Sequence, residues 1–384
     1  MVNSKPNLIG LNRAELTQLF TELGEKPFRA EQMLKWIHQR GVLEVDAMTD
    51  ISKSLRETLK ESVELKLPKV VEEFPSADGS HKWIIEVASG SRVEMVFIPE
   101  SGRGTLCISS QAGCSLDCSF CATGKQGFDS NLSSAEIVAQ LWLANKHLGA
   151  FDKDSARVVS NVVMMGMGEP LLNFDNVMTA INIMMDDCAY GLSKRKVTIS
   201  TSGVVPAIDR LKDFTDASLA VSLHAPNDEL RSQIMPINRR YPIADLLASV
   251  RGYMESLPDR RVPVIEYTLI KGVNDHRKHA RELADLLKTF PCKINLIPFN
   301  PFELSDYERP SSSSLGNFRQ ILQQAGYTVT VRTTRADDIG AACGQLVGAV
   351  ADRTKRSERH LRDKQEKKGK VFDNTDNLAV SADR

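Results

Sequence analysis

The chain has 384 residues, 42% hydrophobic and 26% charged, which fits a globular protein with one large core and an accessory part. Its 49 basic and 49 acidic residues cancel, so charge alone does not point to a nucleic-acid binder and any such surface has to be local. No stretch approaches the ~20 apolar residues of a membrane span, the first 16 residues lack the apolar run of a secretion signal, and seven cysteines, an odd number, suit a reducing compartment, so a cytoplasmic protein is expected.

Residues 1–67 read as a helical accessory domain. Leu11, Leu16, Leu19, Phe20 and Leu23 fall near helical spacing and stop at Gly24. Met33, Leu34, Trp36 and Ile37 repeat the pattern up to Gly41, and residues 51–65 form a third helix. This module is either an RNA-docking unit or a cap packed on the rest. Residues 68–99 switch to a period of two, with turn signals at Asp78-Gly79 and Ser89-Gly90-Ser91, and read as a small antiparallel β extension. Glu94 sits in its last strand, where the alternation points it outward.

From residue 100 to about 350, short apolar strands alternate with amphipathic helices. Strands are expected at 105–110, 161–166, 196–201, 217–223, 262–270, 293–299 and 328–334. The first helix of the series opens with Ser133-Ser134-Ala135-Glu136, a capping box. Six strand–helix units and a closing strand make an α/β protein with a parallel sheet and helices outside. Six are too few for an eight-fold barrel, yet the chemistry still belongs at the carboxyl ends of the strands. Residues 351–370 carry nine Lys/Arg and four Asp/Glu, a local net charge of +5, and the tail ends polar at 384. That basic run reads either as phosphate contact or as a solvated terminal helix. The basic groups Lys194-Arg195-Lys196, Arg239-Arg240 and Arg260-Arg261 are likewise RNA contacts or ordinary solvated charge.

The densest chemical signal is Cys114-Ser-Leu-Asp-Cys118-Ser-Phe-Cys121. A structural zinc site takes four ligands, commonly as two separated pairs, and no paired C-x2-C or H-x3-H follows. Three thiolates suit an iron–sulfur cubane with one iron left open. The competing reading, three core cysteines packed as small apolar residues, fits poorly in a loop this rich in Ser, Gly and Asp. Other candidates are weaker alone. Gly166-Met167-Gly168-Glu169 ends the second strand. Cys107 reads as a core strand residue, Cys343 as a small residue in an Ala/Gly run, and His224 as a satisfied loop histidine. Cys188 and Cys292 read as structural.

C-x3-C-x2-C with an aromatic before the last cysteine resembles the radical S-adenosylmethionine (SAM) superfamily. The runs TLCISSQAGCSLDCSFCATGKQGF, NVVMMGMGEPLLN, STSGVVP, SLHAPND, INLIPFNPF and DIGAACGQL are similar to the RlmN/Cfr family of RNA adenine methyltransferases, over residues 94–348. The resemblance implies a partial (β/α)6 radical SAM barrel and a [4Fe–4S] cluster on Cys114, Cys118 and Cys121, whose open iron chelates SAM. It implies SAM contacts at Gly168, Glu169, Ser200, Ser222, Leu223, His224 and Asn300. In the implied chemistry Cys343 takes a methyl group from one SAM, and a radical from a second SAM activates that methyl to add to adenine. Glu94 then removes a proton, and Cys107 resolves the adduct through a transient disulfide with Cys343. The implied products are 2-methyladenosine in 23S rRNA, at the peptidyl-transferase centre, and in tRNA beside the anticodon. The implied partners are those RNAs and a flavodoxin or ferredoxin as electron donor; a monomer is expected. Methylation at adenine carbon 8, as in the Cfr branch, is the nearest alternative. A non-catalytic Fe–S protein that binds RNA or senses redox state is the alternative of another class.

Overall fold

The computed structural model describes residues 5–152, 157–333, 335–348, 350–356, 358–360 and 362. Among them run β1 (Lys69–Pro75), β2 (His81–Glu86), β3 (Arg92–Glu100), β4 (Arg103–Cys107), β5 (Gln111–Gly113) and β6 (Phe128–Asn131). The later strands are β7 (Asn161–Met164), β8 (Val197–Thr201), β9 (Ser218–Ser222), β10 (Val264–Leu269), β11 (Lys293–Pro298) and β12 (Thr328–Val331). Ten of them form one sheet in the order β1-β2-β3-β4-β7-β8-β9-β10-β11-β12, and β5 pairs only with β6. From β4 onward every neighbour is parallel, as the alternating strand–helix pattern requires.

The hairpins expected as a small antiparallel β extension continue this sheet, because β3 pairs antiparallel with β4, Val96 opposite Cys107. Residues 93–98 of β3 are all buried, both faces included. Glu94 is therefore not an outward-facing strand residue; it is 3% exposed. Period-two alternation reports one wet face, and β3 has none.

The helix Ser134–His147 opens on the capping box at Ser133 and Glu136 and is buried at Ala135 and from Ile137 to Asn145. Part of its cover comes from the N-terminal module, whose short turn Leu8–Gly10 packs directly on it, and part from the helix Phe174–Met185. Gly10 is part of that fit: a Cβ there would stand 2.3 Å from the Ala135 nitrogen. Trp142 Nε1 donates to the Ile37 carbonyl at 2.8 Å, and Arg13 Nε and Nη2 donate to Asp186 at 2.8 and 2.6 Å. These contacts support the packing reading of the helical module. No described helix is long and apolar enough to cross a membrane.

Three of the seven residues in the basic groups are held in ion pairs. Lys194 pairs with Asp216 at 2.8 Å, and Arg195 and Arg261 pair with Asp259 at 3.0 and 2.6 Å. In the described part of the terminal basic run, Arg353 Nε reaches buried Asp129 at 2.7 Å while its own side chain stays largely exposed. Residues 363–384, with the polar end of the tail, lie outside the described residues.

Candidate active site

The carboxyl ends of the parallel strands open into a cavity of about 140 Å³. Cys114, Cys118, Cys121, Gly168, Glu169, Ser200, Ser222, His224, Asn300 and Cys343 all line it. Ten residues separated by up to 229 positions in sequence (343 − 114) thus share one wall.

The three-cysteine loop hangs between β5 and β6, whose short ladder closes its base. Cys114 N donates to the Gly127 carbonyl at 2.7 Å, and Ser119 N donates to the Ile234 carbonyl at 2.9 Å. All three thiols are free, and burial pushes each up, Cys114 to about 12. For Cys118 the other two thiols add to the effect. Three neighbouring thiols, Cys114 and Cys118 buried and Cys121 half-buried, each costly to ionise in the free protein, gain most from a metal centre that takes them as thiolates. The donor set therefore fits a [4Fe–4S] cluster.

Glu169 caps the short helix Pro170–Asn173 and is 2% exposed. Its Oε1 accepts from Leu171 N at 3.1 Å and from Thr201 Oγ1 at 2.8 Å, and its Oε2 accepts from Ser202 N at 2.7 Å. Burial raises its pKa against these donors. Gly168 just before it has φ of +97°, and a Cβ there would lie 2.5 Å from Gln111; only glycine fits that approach.

His224 also has a positive φ, +57°, uncommon for a non-glycine residue and held here by its surroundings. Its Nδ1 accepts from Thr268 N at 2.9 Å, its carbonyl accepts from Asn274 Nδ2 at 2.8 Å, and its ring meets Phe120 edge-on at 4.6 Å. Burial, helped by the Arg231 charge, lowers its pKa to about 3. With Nδ1 an acceptor and the ring neutral, the proton sits on Nε2, a donor in the cavity wall. Leu223 does not line the cavity. Its side chain is in the core, its N–H donates to the Glu266 carbonyl, and its carbonyl accepts from Arg231.

Cys343 and the cysteine loop are stitched together. Ala122 N donates to the Gly344 carbonyl at 2.8 Å, Thr123 Oγ1 to the Leu346 carbonyl at 2.8 Å, and Gln126 Nε2 to the Gly348 carbonyl. Asn300 Nδ2 donates to the Cys343 carbonyl at 3.2 Å. Cys107 ends β4 outside the lining, buried and free. Burial, reinforced by Cys343, pushes its thiol to about 12, while Arg332 acts the other way on both cysteines. Glu94 stays behind the wall. Its Oε1 is 3.5 Å from Lys82 Nζ, the Val347 backbone also hydrogen-bonds the carboxylate, and burial raises its pKa against both.

Three residues went unforeseen. Arg231 is fully buried, and its guanidinium donates to the carbonyls of Leu223, Ser202 and Ser222 and to Asn238 Oδ1 at 2.7–3.1 Å. It thereby ties the loops after β8 and β9, and burial lowers its pKa to about 10. Nothing in the run DELRSQI signals this. Glu266 lines the cavity with its Oε2 accepting from Asn295 at 2.8 Å, and burial raises it to about 7. A lone carboxylate inside the apolar strand run VPVIEYTLI was the available signal. Arg332, just after β12, stands within electrostatic reach of both Cys107 and Cys343.

Two protein-family models match the chain: the ribosomal RNA large subunit methyltransferase N-terminal domain over residues 6–65, and the radical SAM superfamily over residues 108–284. The dual-specificity RNA methyltransferase RlmN of Marinobacter nauticus is 60% identical over 357 residues, 93% of this chain and 96% of that protein. Its counterpart in Pseudomonas fluorescens is 60% identical over 93% of this chain and 94% of that protein. Among solved structures, a radical SAM methyltransferase from Sphaerobacter thermophilus is 41% identical, covers 89% of this chain and 99% of its own, and superposes with a TM-score of 0.82.

Proposed function

We propose, from the premise that this chain belongs to the RlmN family of radical SAM RNA methyltransferases, that it methylates carbon 2 of adenine in 23S rRNA and in tRNA beside the anticodon. The enzyme uses a [4Fe–4S] cluster and SAM. When bound, these supply an electron, a methyl group and a carbon radical. That chemistry suits carbon 2, an electron-poor position between two ring nitrogens that an electrophilic methyl group does not attack.

The observation that carries this reading is the shared wall: the C-x3-C-x2-C loop, the strand-end residues and Cys343 face one cavity and are hydrogen-bonded to one another. Cys114, Cys118 and Cys121 hold the cluster. Glu169, Ser200, Ser222, Asn300 and the Nε2–H of His224 orient SAM, with Gly168 giving it room and Leu223 acting through its backbone. Cys343 carries the methyl group, and the Arg332 charge favours its thiolate. Cys107, which is within electrostatic reach of Cys343, is its resolving partner. Glu94 is the base: its buried carboxyl, with a pKa raised by burial and Lys82 beside it, is suited to take up a proton. For Glu94 to reach the adenine, residues 344–348 have to move; Gly340 and Gly344, with φ of +58° and +83°, permit that.

The working organisation is a helical accessory domain at 1–67, a β extension at 68–99, the barrel at 100–350 and a tail from 351. We place the protein in the cytoplasm as a monomer, reduced by a flavodoxin or ferredoxin. The test is mass spectrometry of methyladenosine isomers in rRNA and tRNA from a deletion strain and its complement, beside 5′-deoxyadenosine formation by the reduced protein. Appearance of 8-methyladenosine would move the target to the other carbon. A cluster with no SAM cleavage would favour a non-catalytic Fe–S protein that binds RNA or senses redox state.

A further inference from the structure

The cysteine loop is gripped from its outer side by a residue more than two hundred positions away. Arg356 Nη1 donates to the carbonyls of Cys114, Leu116 and Gly124 at 3.0, 3.1 and 3.0 Å, and its Nη2 donates to the Ser115 carbonyl at 2.8 Å. Among the described residues it has no carboxylate partner within ion-pair distance. One planar guanidinium thus answers four backbone acceptors that the loop turns toward a single point. A chain wound around three ligands in so few residues cannot give those carbonyls intraloop partners, and converging carbonyl dipoles repel unless a cation sits between them.

The neighbouring contacts land on the same segment. Arg353 pairs with Asp129 at 2.7 Å, and His360 Nε2 lies 3.2 Å from Asp117 Oδ1, inside the cysteine motif. Gly127, at the loop's exit, is so close to the terminal segment that a Cβ would stand 2.0 Å from Asp352 Oδ1. Every one of these partners falls between residues 114 and 129.

We propose that Arg356 is a positioning residue for the cluster, and that the segment around it is a strap holding the cysteine loop in its ligating conformation. The inference rests on the reading that Cys114, Cys118 and Cys121 hold that cluster. Arg356 touches carbonyls and no sulfur, so its effect is on the backbone that presents the thiolates. Its charge also lies beside an anionic centre, so its removal makes the cluster harder to reduce.

The test uses the full-length chain, reconstituted anaerobically, with three readouts: the rate at which a chelator strips iron, the midpoint potential followed by electron paramagnetic resonance, and the melting temperature of the apoprotein. Arg356→Met is expected to release iron at least about tenfold faster, a change that loss of part of a charged hydrogen-bond set would cause. Its midpoint should become more negative, with apoprotein melting within a few degrees of wild type. Arg356→Lys, which keeps the charge but not the planar fork, should fall between. Iron release from Arg356→Met at the wild-type rate overturns the proposal. If Arg356→Met does not fold, Arg356→Lys decides: faster release than wild type supports the strap, and equal release overturns it. A wild-type chain that takes up no iron would instead sink the cluster reading and leave the loop geometry to be explained otherwise.

Discussion

Replacing Glu169 by glutamine separates two jobs that one carboxylate does here. A carboxylate offers about four acceptor positions, and Leu171 N, Thr201 Oγ1 and Ser202 N occupy three of them. About one position remains for an ammonium group of SAM. A single charge-assisted hydrogen bond is worth roughly 1.5–3 kcal/mol, so Glu169→Gln should weaken SAM binding about tenfold to hundredfold. In the fold, the new amide can keep its oxygen toward Leu171 and Thr201, which turns its NH2 toward the Ser202 N–H. Two donors then face each other, and one buried N–H loses its partner, a loss of about 1–3 kcal/mol. Both effects are read on the same reconstituted protein: SAM affinity by calorimetry and stability by urea unfolding. Iron content should stay near wild type, because none of the three donors belongs to the cysteine loop. An unchanged SAM affinity together with the stability loss would show that Glu169 is only a tie between strand ends, and the SAM assignment would be wrong.

Substituting alanine at any one of Cys114, Cys118 or Cys121 should remove most of the iron and all 5′-deoxyadenosine formation, measured by iron assay and chromatography; zinc in anaerobic wild-type protein would refute the cluster. Cys343→Ala should attach no RNA, whereas Cys107→Ala should stall as a protein–RNA adduct on a denaturing gel that reductant does not dissolve; wild-type turnover by Cys107→Ala would end the two-cysteine mechanism. Glu266 has a folded pKa raised from 4.5 to about 7. The unfolded chain therefore gives up this proton first, and stability should fall as pH rises from about 4.5 to 7, by roughly 3 kcal/mol at ~1.4 kcal/mol per pH unit. Glu266→Gln should flatten that slope in urea titrations across the range, and an unchanged slope would place the carboxyl in a wetter setting.

Much of the architecture was legible because the parallel strands are short, apolar and followed by amphipathic helices, so period and turn signals agree. Each expected strand is present, and the Ser133–Glu136 box starts its helix where it should. The site was legible because its residues cluster at strand ends in recognisable runs. What stayed hidden depends on partners far away in sequence. Glu94 looked outward because alternation cannot see that Val347 and Gly348 pack against β3. Arg231 and Arg356 look like any surface arginine in a polar run, and only the folded chain brings backbone carbonyls to them. The β5–β6 ladder was missed because three- and four-residue strands carry too little pattern to be read.

The histidine ring in the cavity wall has a consequence at the bench. Because Thr268 N occupies its Nδ1 and burial keeps it neutral down to about pH 3, this imidazole offers the same hydrogen to the cavity throughout the range where ordinary histidines titrate, near 6.5. The rate profile of the enzyme against acidity should therefore contain no inflection from His224, and any limb seen there belongs to another group. An uncharged amide of similar reach, as in His224→Gln, should keep part of the function, while a permanently cationic side chain at the same place should not.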